Sequence, residues 1–196
     1  MIILASASPR RQQLLHQIGV PHEVLPANVD ETPLCGELPC DYVQRVANSK
    51  ALAVFTQCSA ATVLAADTTV VVDGQILGKP EDADHARRML AQLSGRCHQV
   101  MTALSLVRGG HSQPEYQQVR VTTDVTFAVL SATTIDRYML TSEPFGKAGG
   151  YAIQGFAAAF VQAVHGSYSN VVGLPLAETA DCLQRWQIPI WQEILC

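Results

Sequence analysis

A chain of 196 residues that is 48% hydrophobic, with a mean hydropathy of +0.14, can bury a substantial core, and its length predicts a single domain over residues 1–196. Its net charge of -4 excludes a nucleic-acid binder that works by broad phosphate attraction. No segment is long and apolar enough to span a membrane, and the N-terminus has neither the basic stretch nor the cleavage pattern of a signal peptide, so a cytoplasmic protein is expected.

The first stretch already presents an anion site. Ile2, Ile3 and Leu4 read as a short buried strand, and Ala5, Ser6, Ala7 and Ser8 are small enough to let backbone approach a ligand. Ser8 then suits a helix N-cap and Pro9 the first helical position, with Leu14, Leu15 and Ile18 as the apolar stripe and Gly19 as the stop. A strand feeding such a loop into a helix leaves free N–H groups and the positive end of the dipole aimed at one spot. Arg10 and Arg11 fall in the first turn, where cations oppose the dipole, so something anionic should compensate them.

From Pro21 to Pro39 the chain reads as an extended connection carrying Asp30 and Glu31, which are either solvated charges or oxygen ligands for a hard cation. Asp41 can cap a helix to about Phe55 whose apolar face is Val43, Val46, Ala47, Ala51 and Val54. Lys50 shares that face; it either snorkels to the surface or reaches an anion in a cleft, and periodicity alone favours snorkelling. Val63 to Ala66 reads as a second short strand that ends at Asp67-Thr68, where open α/β sheets place ligands. A hairpin with an Asp73-Gly74 turn follows, and Gly78-Lys79-Pro80 brings a lysine back towards Asp67.

Asp82 opens a helix with Ala86, Met89, Leu90 and Leu93 inward and Gly95 as its stop. His98 to Val107 and a strand with Val119, Val121, Val125 and Phe127 alternating on one face come next, and Ser131 caps a further helix to about Leu140. Gly146, Gly149, Gly150 and Gly155, around Lys147, Tyr151 and Gln154, read as a loop shaped for close backbone approach. A final hairpin is expected from Phe160 to Val172, then a helix from Leu174 to Trp186. The six cysteines, Cys35, Cys40, Cys58, Cys97, Cys182 and Cys196, form no C-x-x-C pair or zinc-finger spacing and read as reduced and mostly structural.

Six separated motifs, in order, resemble the Maf family of nucleoside triphosphate pyrophosphatases. They are S-A-S-P-R-R at residues 6–11, A-A-D-T at 65–68, G-K-P at 78–80, L-S-G-R-C-H-Q-V-M-T at 93–102, K-A-G-G-Y-A-I-Q-G at 147–155 and G-S-Y-S-N-V-V-G-L-P at 166–175. The resemblance implies an α/β fold, a mixed elongated sheet flanked by helices, related to the inosine triphosphate pyrophosphatases and usually found as a homodimer. It implies hydrolysis of a nucleoside triphosphate to the monophosphate and pyrophosphate, clearing unwanted or excess nucleotides. The branch acting on dTTP and UTP carries Arg, Thr and Gln at three specificity positions, matched here by Arg11, Thr68 and Gln154.

Elementary chemistry agrees with that resemblance. Cleavage between the α and β phosphates needs positioned cations more than covalent chemistry. Ser8, the helix N-terminus, Arg10 and Arg11 would grip phosphate, while Lys50 and Lys79 would neutralise charge on the leaving pyrophosphate. Asp67 would orient or deprotonate water; an ordinary aspartate, with a pKa of ~3.9, is a weak base at neutral pH, which favours water positioning or metal binding. Glu31 and Asp67 are the expected carboxylates for Mg²⁺ or Mn²⁺ beside the phosphates. Gln154 offers an amide donor and acceptor for the O4 and N3–H edge shared by uracil and thymine. The alternatives left open are inosine, xanthosine or modified pyrimidine triphosphates as substrate, or a nucleotide-binding regulator of cell division without turnover.

Overall fold

The computed structural model describes residues 2–192; Cys196 lies outside them. Seven strands form one mixed sheet in the order β2-β1-β3-β5-β6-β7, with β4 paired to β3. β1 (Ile2–Leu4) runs parallel to both β2 (His22–Val24) and β3 (Thr62–Val72), and every other pairing is antiparallel. β5 (Cys97–Arg108) and β6 (Glu115–Phe127) are the long central strands, and β7 (Val161–His165) closes the far edge.

Side-chain alternation along β3 divides the core in two. Leu64, Ala66, Val70 and Val72 join the larger cluster, together with Leu14 and Leu15 from α1 (Pro9–Gln17), Met89 and Leu90 from α3 (Ala83–Leu93), Ile135 from α4 (Ala132–Met139) and Leu183 from α6 (Leu176–Arg185). Val63 and Ala65 face the other way. They pack with Ala51 and Val54 of α2 (Pro39–Phe55), the long helix that covers this second face.

Most of these elements begin where local chemistry directs. Asp82 caps α3 by accepting from the His85 amide at 2.6 Å, and Ser131 caps α4 by accepting from the Thr134 amide at 3.1 Å. Asp73 and Gly74, with φ of 50° and 75°, build the turn between β3 and β4 (Gln75–Leu77).

Four expectations need correction. The connection after Gly19 contains β2, which pairs with β1 although its own side chains are largely exposed. α2 starts at Pro39, whose missing N–H suits the first helical position, so Asp41 lies inside the first turn rather than capping it. β3 does not stop at Ala66; it continues through Asp67 and Thr68 because its backbone remains paired with β5, Asp67 opposite Ala103. Val171 and Val172 are not a strand: the Ser167 hydroxyl accepts from the Asn170 amide at 3.2 Å and starts the short helix α5 (Tyr168–Val172).

β3 carries a feature that matters for the site. β5 occupies one edge over Val63 to Val71, while β1 and β4 share the other edge, pairing at residues 62–64 and 70–72. Residues 65–69 therefore have a sheet partner on one side only, and the opening between β1 and β4 exposes both faces of the strand to the same space.

His98 is buried on β5, its Nε2 2.8 Å from the Tyr151 hydroxyl and its ring packed edge-on against Phe127. Burial pushes its pKa down to about 4 from 6.5. Because the folded value is depressed, the unfolded chain binds more protons between those two values, and stability present above pH 6.5 is lost as pH falls towards 4. The expected loss from this group is about 3 kcal/mol. Urea unfolding at pH 7 and pH 4 checks it, and a His98→Gln variant should show a correspondingly shallower pH dependence.

Candidate active site

A cleft of about 850 Å³ lies at the β1–β4 opening, between the N-terminus of α1, α2 and the loop that follows α4. Two clusters of charge line it.

On the α2 side, Lys50 is buried with its side chain 9% exposed. Its ammonium donates to Asp67 Oδ1 at 2.8 Å and is paired with Glu31 Oε1 at 2.7 Å. Lys79, at the end of the β3–β4 hairpin, reaches Glu31 Oε2 at 3.3 Å, so Glu31 bridges two lysines. Burial pushes the Glu31 carboxyl up, but the Lys50 hydrogen bond and both ammonium charges outweigh it and hold the pKa below the ordinary range. Tyr42, one helical face along from Lys50, donates its hydroxyl to the Glu31 carbonyl at 3.0 Å and so fixes the segment that carries the carboxylate. Burial, followed by the fields of Asp67 and Glu31, pushes that phenol up to about 12. Snorkelling is thus overturned for Lys50: a buried carboxylate on the facing strand draws the ammonium inward.

On the α1 side, Arg11 is held by neutral acceptors. Its guanidinium donates to the Gly173 carbonyl at 2.8 Å, to Ser6 Oγ at 3.1 Å and to Thr68 Oγ1 at 3.0 Å. Thr68 in turn meets Thr102 Oγ1 at 2.9 Å, and Thr102 donates to the Asn170 carbonyl at 3.0 Å, so a polar chain ties Arg11 to α5. Burial draws the pKa of both Arg10 and Arg11 down. Ser8 occupies the N-cap position without a side-chain capping bond, and its own amide donates to Ser6 Oγ at 3.2 Å, which leaves the Ser8 hydroxyl for a ligand.

The loop after α4 closes the third wall. Gly149 has φ of 69°, and a Cβ there would lie 3.0 Å from the Val70 methyls, so only glycine lets the loop press against β3. Its amide donates to the Gly78 carbonyl at 3.0 Å.

These three walls place opposed cations and carboxylates around one slot large enough for a nucleotide, in a chain whose residues 1–186 match the model of Maf-like protein. The chain belongs to the Maf family. Its relatives match along nearly their whole length. The chain is 53% identical over 192 residues to a protein of Anaeromyxobacter dehalogenans named dTTP/UTP pyrophosphatase, covering 97% of each chain. It is 51% identical to the Pseudoalteromonas atlantica protein of that name, over 96% of this chain and 98% of the relative, and 48% identical to that of Symbiobacterium thermophilum, over 97% and 96%.

Of the residues the sequence singled out, Ser8, Arg10, Arg11 and Thr68 line the α1 side of the cleft, and Glu31, Lys50, Asp67 and Lys79 line the other. Gln154 does not join them. It is exposed and its neighbour Ile153 lines the wall instead; the two are the central residues of a turn that the Gly155 amide closes by donating to the Ala152 carbonyl at 3.0 Å. Asp30 also stays apart, exposed and accepting from the Thr32 amide at 2.8 Å. Sequence reasoning missed Tyr42 as a site residue. The signal was its place two turns before Lys50 on one helix face. Lys147 was noticed only as part of a loop.

Proposed function

We propose that this protein hydrolyses dTTP and UTP to the nucleoside monophosphate and pyrophosphate, with residues 1–196 acting as one catalytic domain. The observation that carries the reading is the Lys50 ammonium shared by Asp67 and Glu31 across one cleft from Arg10 and Arg11. The names of the relatives support the choice of substrate.

In this reading the α1 N-terminus, the free Ser8 hydroxyl, Arg10 and Arg11 receive the phosphates, which is the chemistry an uncapped helix start with unpaired guanidinium charge supplies. Lys50 holds Asp67 by Oδ1, so Oδ2 is the oxygen left to orient a water for attack at phosphorus and to take its proton. Thr68, locked to Arg11 and Thr102, fixes the arginine's angle rather than touching the reacting atoms.

Among the described residues no group of three or more His, Cys, Asp or Glu is placed to hold a metal by itself. Glu31 and Asp67 nevertheless converge on one point and offer hard oxygens, and Mg²⁺ commonly takes one or two carboxylates together with substrate phosphate oxygens. We assign Mg²⁺ or Mn²⁺ to these two residues, where it would neutralise phosphate charge and polarise the scissile anhydride. The same reading places the protein in the cytoplasm as a homodimer. Cys35, Cys40, Cys58, Cys97 and Cys182 are free thiols, which supports the reducing compartment, and the homodimer follows from the family resemblance alone.

A panel of nucleoside triphosphates with pyrophosphate detection, with and without divalent metal, tests this. dTTP and UTP should be hydrolysed at least about tenfold faster than the purine nucleotides, and chelation should stop the reaction. Binding of dTTP without pyrophosphate release would replace the enzyme with a sensor.

A further inference from the structure

The two flanks of the cleft are electrically unequal. Lys50 and Lys79 are matched by Asp67 and Glu31 in direct ion pairs. Arg11 is surrounded by a carbonyl and two hydroxyls, and no ion pair to a carboxylate forms at Arg10, Arg11 or Lys147 among the described residues. Lys147 lines the cleft half-buried, donating to the Glu143 carbonyl at 2.8 Å and reaching the Phe145 carbonyl at 3.5 Å.

The nearby acid offsets this charge only in part and forms no ion pair with it. The Glu143 carboxylate accepts from the Tyr138 hydroxyl at 2.8 Å and from the Phe156 and Ala157 amides at 2.9 and 3.1 Å, so its oxygens are occupied in fastening the loop. The loop is also fastened at Gly149, two residues beyond Lys147, through Gly78. A lysine between two such anchors is carried on a fixed wall. Arg10 and Lys147 line the same cleft, and burial, then the Arg10 charge, lower the Lys147 pKa more than the Glu143 carboxylate raises it. Desolvated like charges gathered around a slot are relieved by an anion entering it.

We propose that Lys147 is a third ligand for the polyphosphate tail. Its ammonium exchanges the two carbonyls for oxygens of the pyrophosphate portion of the substrate and completes, with Arg10 and Arg11, a cationic seat on the flank away from Asp67. The assignment rests on the pyrophosphatase reading for its substrate, but it concerns a binding step that can be measured without turnover.

Calorimetry with inorganic pyrophosphate, and separately with thymidine monophosphate, tests it on the full chain. Lys147→Gln keeps an amide donor for the two carbonyls while removing the charge. It should weaken pyrophosphate binding by about tenfold to a hundredfold and leave the monophosphate within about threefold. Unchanged pyrophosphate affinity, or equal weakening of both ligands, would overturn the assignment, the second outcome marking a purely structural lysine. If the glutamine variant lost its cooperative melt, Lys147→Arg would be read instead: retained pyrophosphate affinity supports the seat and its loss overturns it. Wild-type binding of pyrophosphate through Lys147 without hydrolysis of dTTP would sink the pyrophosphatase reading alone, whereas dTTP hydrolysis with Lys147-independent pyrophosphate binding would sink only this one.

Discussion

Replacing Lys50 with methionine should lower pyrophosphate release from dTTP by about 10²–10³-fold, the range seen when a preorganised charge is removed from a reacting centre. The ammonium sits between Asp67 and Glu31 and pairs directly with both. Without it, Asp67, which is 6% exposed, loses its hydrogen-bonded cation, and Glu31 keeps only the longer contact with Lys79. Stability should fall by about 3 kcal/mol, near the lower end for breaking a buried pair, because Glu31 is 36% exposed and can rehydrate. Urea unfolding measures that loss, and unchanged turnover in a folded variant would remove Lys50 from the mechanism.

Asp67→Asn makes the complementary test, since it deletes the negative charge without deleting the oxygen that Lys50 holds. Shape and the Lys50 contact survive, and Glu31 still neutralises the ammonium. The fold should be retained with a melting temperature near that of the parent. Turnover should drop by about 10²–10⁴-fold, the contribution of a positioned base, with KM changed little because the phosphates are gripped from the α1 flank. Single-turnover measurements with dTTP would show whether the loss lies in chemistry. A rate within about tenfold of the parent would mean that another group positions the water.

Much of the cleft's lining is legible in the sequence, and the reasons differ from residue to residue. Ser8, Pro9 and the arginines that follow are local signals: a helix start can be seen in four consecutive residues, and α1 begins at Pro9. Asp82 and Ser131 were equally legible as caps. Asp67 lines the cleft, though not for the reason its sequence context suggests. A charged residue after an apolar run looks like a strand end, yet Thr68, Thr69 and Val70 to Val72 are β-favouring residues, and pairing with β5 carries the strand past the acid. Lys50 shows the limit more sharply. Helical periodicity located it on the buried face but says nothing about what the opposite element presents, and its partner Asp67 is 17 positions away in sequence. Gln154 shows the reverse limit: the resemblance names it for the base edge, and the residue is exposed and outside the lining of the cleft.

The interrupted edge of β3 has a mechanical consequence. Asp67 and Thr68 project to opposite faces of a single ribbon, so the group that prepares the water and the group that steadies Arg11 ride on neighbouring residues of one strand. The spacing between attacking and gripping halves is then governed by the local coil of that ribbon, a property set by its own backbone sterics and by the tight turn at Asp73-Gly74. Residues that never meet a nucleotide thereby become tuning points for catalytic alignment.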